Sequence, residues 1–161
     1  STMSKTIYIL RHAESVYNAH YIQERDTDVS ERGTEQAKNI QCDLKFDVVV
    51  CSPLKRCRRT LEMSGISYKN LIIEPLAREK IVGITDTLEG EPVIKETIFH
   101  LENRVRELRL KLLELIKTYD SVLLVSHYNT IHILTSLDEN GIIAKDGYYP
   151  DNAELIKYEL K

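Results

Sequence analysis

Four short apolar runs, each followed by a polar stretch of helical character, set narrow limits on the fold. They cover Thr6–Leu10, Asp47–Cys51, Leu71–Glu74 and Ser121–Val125. All are rich in β-branched residues and apolar on both faces, the pattern of strands buried in a parallel sheet. Between them, Ser30 predicts the N-cap of a helix over 31–40, with Gly33 as a weak point inside it. Ser52 predicts a second N-cap with Pro53 at the first helical position, and Gly65 its C-terminal end. The longest helix is expected over 97–119, where Ile98, Leu101, Val105, Leu108, Leu112 and Leu115 form one apolar stripe. A helix lying on a sheet explains that stripe better than a coiled-coil seam of only three heptads. Residues 154–160 place Ile156, Tyr158 and Leu160 on one face and read as an edge strand. Strands alternating with helices predict a layered α/β domain with a mostly parallel sheet.

Bulk properties narrow the possibilities further. A chain of 161 residues, 42% of them hydrophobic, has material for one core and not for two, so 4–161 is read as a single domain. Ser1 and Thr2 ahead of Met3 look like a cloning remnant. A net charge of −3 argues against nucleic acid as a partner. Three cysteines (Cys42, Cys51, Cys57) without a CxxC pair suggest neither a disulfide framework nor a zinc site, and are read as reduced thiols in the cytoplasm. No apolar run reaches the length of a membrane span or a signal-peptide core, so no membrane association is expected.

Ligands of open α/β sheets bind beyond the carboxyl ends of the strands. The first strand exits into Arg11 and His12. The second exits into "CSPLKRCRR", with Arg56 near the start of the helix that follows. The third leads to Glu79 and the fourth directly to His127. Two guanidiniums suit the oxygens of a phosphate and stay charged at any working pH. Positive neighbours also favour a neutral imidazole with a nitrogen free to attack phosphorus. A second histidine can donate to phosphoryl oxygens, and a carboxylic acid can protonate a leaving oxygen. This set needs no metal and no cofactor. A thiol phosphatase would require Cys-x₅-Arg, but the sixth residue after Cys51 is Cys57.

"LRHAESVYN" resembles the Arg-His-Gly signature of the histidine phosphatase superfamily, the phosphoglycerate mutase-like group. "DTDVSERGTEQA", "CSPLKRCRRTLE", "VSHYNTI" and "DNAEL" are similar to further family segments in the same order. The resemblance implies a three-layer α/β/α fold. It makes His12 the nucleophile that becomes phosphohistidine, Arg11, Arg56 and His127 the phosphate pocket, and Asn18 a further phosphate contact. Glu79 would be the acid/base, with Asp86 and Glu89 as rivals nearby. Three positions depart from the family: Ala13 and Tyr128 stand where glycine is usual, and Cys57 replaces alanine. Tyr128, followed by Asn129, changes the pocket wall and is a candidate substrate contact.

Mutases of this family carry a long insertion between the acid and the second histidine. Here the interval holds one long helix and the polar loop "ITDTLEGEPVIKE", which leaves little material for a lid. An open phosphohistidine favours hydrolysis. The expectation is therefore a compact phosphatase acting on a phosphorylated small molecule or a phosphoprotein. A mutase-type phosphotransferase and a weakly catalytic phosphate-binding or scaffold relative are the alternatives. Tyr17, His20, Tyr21, Arg25, Lys55, Arg58, Arg78, Lys80 and Tyr128 are the candidates for substrate recognition.

Overall fold

The computed structural model describes residues 5–161; Ser1 to Met3, read above as a cloning remnant and start, and Ser4 lie outside them. In chain order the elements are β1 (Thr6–Arg11), α1 (Val16–His20), α2 (Glu31–Lys38), β2 (Lys45–Cys51), α3 (Lys55–Ser64), β3 (Ser67–Ile73), α4 (Ile98–Thr118), β4 (Val122–Ser126), α5 (Tyr128–Leu134) and β5 (Leu155–Glu159). Short 3₁₀ turns at Pro75–Ala77 and Ile84–Asp86 interrupt the passage from β3 to α4.

One five-stranded sheet runs in the order β3-β2-β4-β1-β5. Its first four strands are parallel, and β5 is antiparallel on the edge of β1. The alternating pattern of residues 154–160 anticipated that edge. Ile7, Ile9, Val48, Val50 and Leu124 turn to one face, where they meet Leu101, Val105, Leu108 and Leu112 of α4 and Ile131 of α5. Leu10, Phe46, Val49, Leu123 and Val125 turn to the other face, against Cys57 and Leu61 of α3. The fold is thus a three-layer α/β/α arrangement with a mostly parallel sheet, and the α4 stripe lies on the sheet. Ile98, at the start of that stripe, is left 46% exposed. No helix among the described residues is long and apolar enough to cross a membrane.

Three local expectations need correction. The third strand is Ser67–Ile73 rather than Leu71–Glu74, and it is an edge strand with Leu71 and Ile73 each 44% exposed. Of its seven residues only Ile72 is not exposed, so the apolar run at 71–73 lies at the rim instead of filling a two-sided core. Helix α3 begins at Lys55 with Leu54 at its N-cap, so Ser52 does not cap it. Ser52 Oγ instead accepts from the Leu54 N–H (3.2 Å) and faces a histidine of the site. Gly33 is a close-approach position: a Cβ there would lie 2.0 Å from the carbonyl oxygen of Glu14. That contact brings α2 against the loop leaving β1.

The crossover places β1 and β2 on either side of β4. Arg11 pairs with Ser126, and Cys51 with Val125, so the three strands end at one level. The next residues along each strand, His12, Ser52 and His127, therefore converge.

Candidate active site

His12 follows β1 and is almost wholly buried. Its N–H donates to Ser126 O (3.2 Å), and its own carbonyl accepts from Ala153 N (3.1 Å) and Asn152 Nδ2 (3.4 Å). The ring Nδ1 lies 2.7 Å from the carbonyl oxygen of Ala13. A carbonyl only accepts, so Nδ1 carries the proton and Nε2 keeps a lone pair. Burial, then the charges of Arg56 and Arg11, hold the His12 pKa well below the usual histidine value. His12 is therefore a neutral imidazole between two guanidiniums.

Ala13 does not disturb this arrangement. It is fully buried, its N–H donates to Thr60 Oγ1 (2.9 Å), and it does not line the cavity. Its backbone is not among the positive-φ positions, so glycine's freedom is not required there.

His127, directly after β4, packs beside His12 with ring centroids 5.1 Å apart. It is fully buried and is not itself among the residues that line the cavity. Nε2 lies 2.8 Å from Ser52 Oγ and 3.3 Å from Cys57 Sγ. Nδ1 is buried with no hydrogen-bond partner among the described residues. Burial and Arg56 hold its pKa well down too. The Cys57 thiol, pushed up by burial, stays protonated beneath it. All three cysteines are free.

Arg56, in the first turn of α3, donates from Nη2 to Asp86 Oδ1 (2.8 Å) and from Nη1 to Thr85 O (3.0 Å). Asp86 Oδ2 accepts from Val82 N (3.0 Å), so this carboxylate is the buried counter-ion of Arg56. Arg11 donates from Nη1 to Pro150 O (2.9 Å), while its Nε is buried without a partner among the described residues. Asn18 caps α1 reciprocally with Ser15: its Oδ1 accepts from Ser15 N, leaving its amide N–H₂ as the group to offer.

Glu79 is buried, with Oε1 accepting from Lys80 N (2.9 Å) and Oε2 from Asn129 N (3.2 Å). Burial raises its pKa above the carboxylate norm. Of its rivals, Asp86 is tied to Arg56 and Glu89 is exposed and outside the cavity lining.

Arg11, His12, Asn18, Arg56, Glu79 and Tyr128 all line one cavity of about 640 Å³. That is room for a phosphoryl group and a sizeable leaving group. Tyr17 also lines it; the other proposed recognition residues do not. Arg25 instead donates to the carbonyls of Leu88 and Glu91, Arg78 pairs with Glu91, and Arg58 donates to Pro53 O. Gln23, Thr27 and Lys95 line the cavity without having been anticipated. Gln23 and Lys95 sit in loops with no local pattern to mark them; Thr27 lies within the family-like segment "DTDVSERGTEQA", where no role was assigned to it.

The loop from 80 to 97 forms the far wall. Ile81 and Glu96 close its base by two hydrogen bonds of 2.9 Å. Arg104 of α4 grips Glu96 and reaches the carbonyls of Leu76, Arg78 and Glu79. Among the described residues no group of three or more His, Cys, Asp or Glu could hold a metal ion.

A doubly covered parallel sheet with two histidines and two arginines at its carboxyl edge defines a class of α/β enzyme-like domains. Residues 7–96 match the model of the histidine phosphatase superfamily, branch 1, and the chain belongs to that superfamily. It is 26% identical to a Hydrogenobacter thermophilus protein named "Putative phosphoserine phosphatase 2", over 83% of this chain and 78% of that one. The fold is similar to that of the alpha-ribazole phosphatase of Shigella flexneri, with TM-score 0.70 and 20% identity, covering 94% of this chain and 89% of that one. It is also similar to the phosphoglycerate mutase of Thermus thermophilus, with TM-score 0.64 and 19% identity, covering 94% and 91%.

Proposed function

We propose that this chain is a metal-independent phosphomonoesterase that works through a phosphohistidine on His12. The observation that carries the reading is the bare Nε2 of a neutral His12, set between Arg11 and Arg56 and beside the unpartnered Nδ1 of His127. Nε2 attacks phosphorus; the P–N bond forms as the bond to the leaving oxygen breaks. Glu79, whose raised pKa favours the protonated form, delivers its proton to that oxygen. Water then gives a proton to Glu79 and attacks phosphorus, the P–N bond breaks, and inorganic phosphate leaves. Arg11, Arg56, Asn18 and His127 Nδ1–H hold the phosphoryl oxygens throughout, most strongly as charge builds on them.

The substrate class favoured by the names of the relatives is a phosphorylated small molecule. A cytoplasmic setting is part of the reading and is supported by three free thiols. The test is hydrolysis of p-nitrophenyl phosphate in EDTA by wild type and His12→Ala. Turnover that survives chelation and disappears with His12 is the expected result. Full activity in His12→Ala would remove the nucleophile, and loss of activity in EDTA would remove metal independence.

A further inference from the structure

Tyr128 stands where the family resemblance leads one to expect glycine, and its ring is in contact with the site. The Arg11 guanidinium carbon lies 5.0 Å from the Tyr128 ring centroid. Nη1 of that guanidinium is fixed by a hydrogen bond to Pro150 O at 2.9 Å; Nε is buried and has no partner among the described residues. One side-chain hydrogen bond among the described residues leaves a planar fork free to pivot. A ring face against it restrains the plane.

Tyr128 is itself backed by a second aromatic residue. Tyr149 lies with its ring centroid 5.8 Å from that of Tyr128, at an interplanar angle of 37°. On its other side Tyr149 stacks on His132, at 4.0 Å and 19°, and its hydroxyl donates to Asp146 Oδ1 (2.9 Å). Tyr149 directly precedes Pro150, so one loop supplies both the carbonyl that holds Arg11 and the ring that supports Tyr128. Tyr149 is 50% exposed and does not line the cavity.

We infer that Tyr128 and Tyr149 are positioning residues: packed in series, they hold the Arg11 guanidinium with its open N–H groups toward the phosphoryl site. The inference rests on the phosphatase reading above, since it needs a phosphate for Arg11 to meet. It gives the aromatic at position 128 a task that glycine cannot perform, and it assigns an effect on phosphate affinity to Tyr149, a residue that touches no ligand.

The experiment is calorimetric titration of inorganic phosphate into the full chain, with thermal melts as a check on folding. Tyr128→Phe keeps the ring and should bind within about twofold of wild type. Tyr128→Leu should bind about fivefold more weakly, and Tyr149→Leu about two- to threefold more weakly, without a matching change in melting temperature. In an Arg11→Met background, Tyr149→Leu should have no further effect, because its influence runs through the arginine. Wild-type affinity in Tyr149→Leu, or an undiminished loss in the Arg11→Met background, would overturn the inference and leave the phosphatase reading standing. A wild type that binds no phosphate would overturn both.

Discussion

On one side of the cavity, Arg11, His12, Arg56 and His127 are carried by strand ends and the first turn of a helix; the last three are buried and Arg11 partly so, and each has at least one side-chain nitrogen held at a fixed partner. On the other side, Val82, Gly83 and Lys95 sit on a loop without regular structure except one 3₁₀ turn, and that loop is tied down by Arg25, Arg78 and Arg104. The first wall takes its precision from the sheet. The second takes it from ion pairs that a few substitutions can undo. On the phosphatase reading proposed above, reactive groups on the first wall and leaving-group contacts on the second would give the domain fixed chemistry with an adjustable specificity.

Asp86 is where the two walls are joined, and breaking it should have the largest effect. It lies in the loop, yet it neutralises Arg56 from a site where both side chains are almost fully buried. Asp86→Ala leaves a buried guanidinium without its counter-ion, at a cost of about 3–5 kcal/mol. Denaturant melts should show that loss, and phosphatase turnover should fall with it, because Arg56 loses the contact that aims it. A stability change below about 1 kcal/mol would mean that the walls are independent.

Glu79 sharpens the comparison, since its carboxylate is fixed by one N–H from each wall, Asn129 and Lys80. Burial raises its pKa, so the proton needed by a leaving alkoxide is present below the raised value and is lost as pH rises through it. Rates on alkyl phosphates should decline across that window. Stability follows the same sign, because the folded state binds the proton more tightly than the unfolded chain. Glu79→Gln should slow alkyl phosphate hydrolysis by about 10²-fold or more and p-nitrophenyl phosphate by much less. Equal losses on both would show that the group does not protonate the leaving oxygen.

The two walls also differed in how much of them could be read from the sequence. Strand exits are legible because a short apolar run followed by Arg-His or Ser-His states both the element and where it stops. Register then does the rest: Arg11 opposite Ser126 follows from the parallel pairing of β1 and β4. The far wall has no such grammar. Lys95 and Gln23 reach the cavity through loop paths set by distant partners, and Arg25 and Arg78, which looked like substrate contacts, hold the loop instead. Helices α1 and α5 were not anticipated; each is too short for a period to show, and α5 is rich in β-branched residues that tertiary packing overrides. The edge position of β3 depended on strand order, which apolar content alone does not specify.

Lys95 should show the smallest effect, and one of a different kind. It is exposed, lines the cavity, and has no hydrogen bond or ion pair among the described residues. An exposed ammonium at a cavity mouth attracts anionic substrates weakly, through a field that salt screens within about 8–10 Å. Lys95→Met should therefore leave kcat and the melting temperature unchanged and raise KM by about two- to threefold in low salt. The same comparison in about 0.5 M salt should show almost no difference, because screening has already removed what the mutation removes. A change in kcat, or a KM effect that salt does not erase, would show that Lys95 makes a direct contact with the leaving group. The loop wall would then carry part of the chemistry as well as the selection.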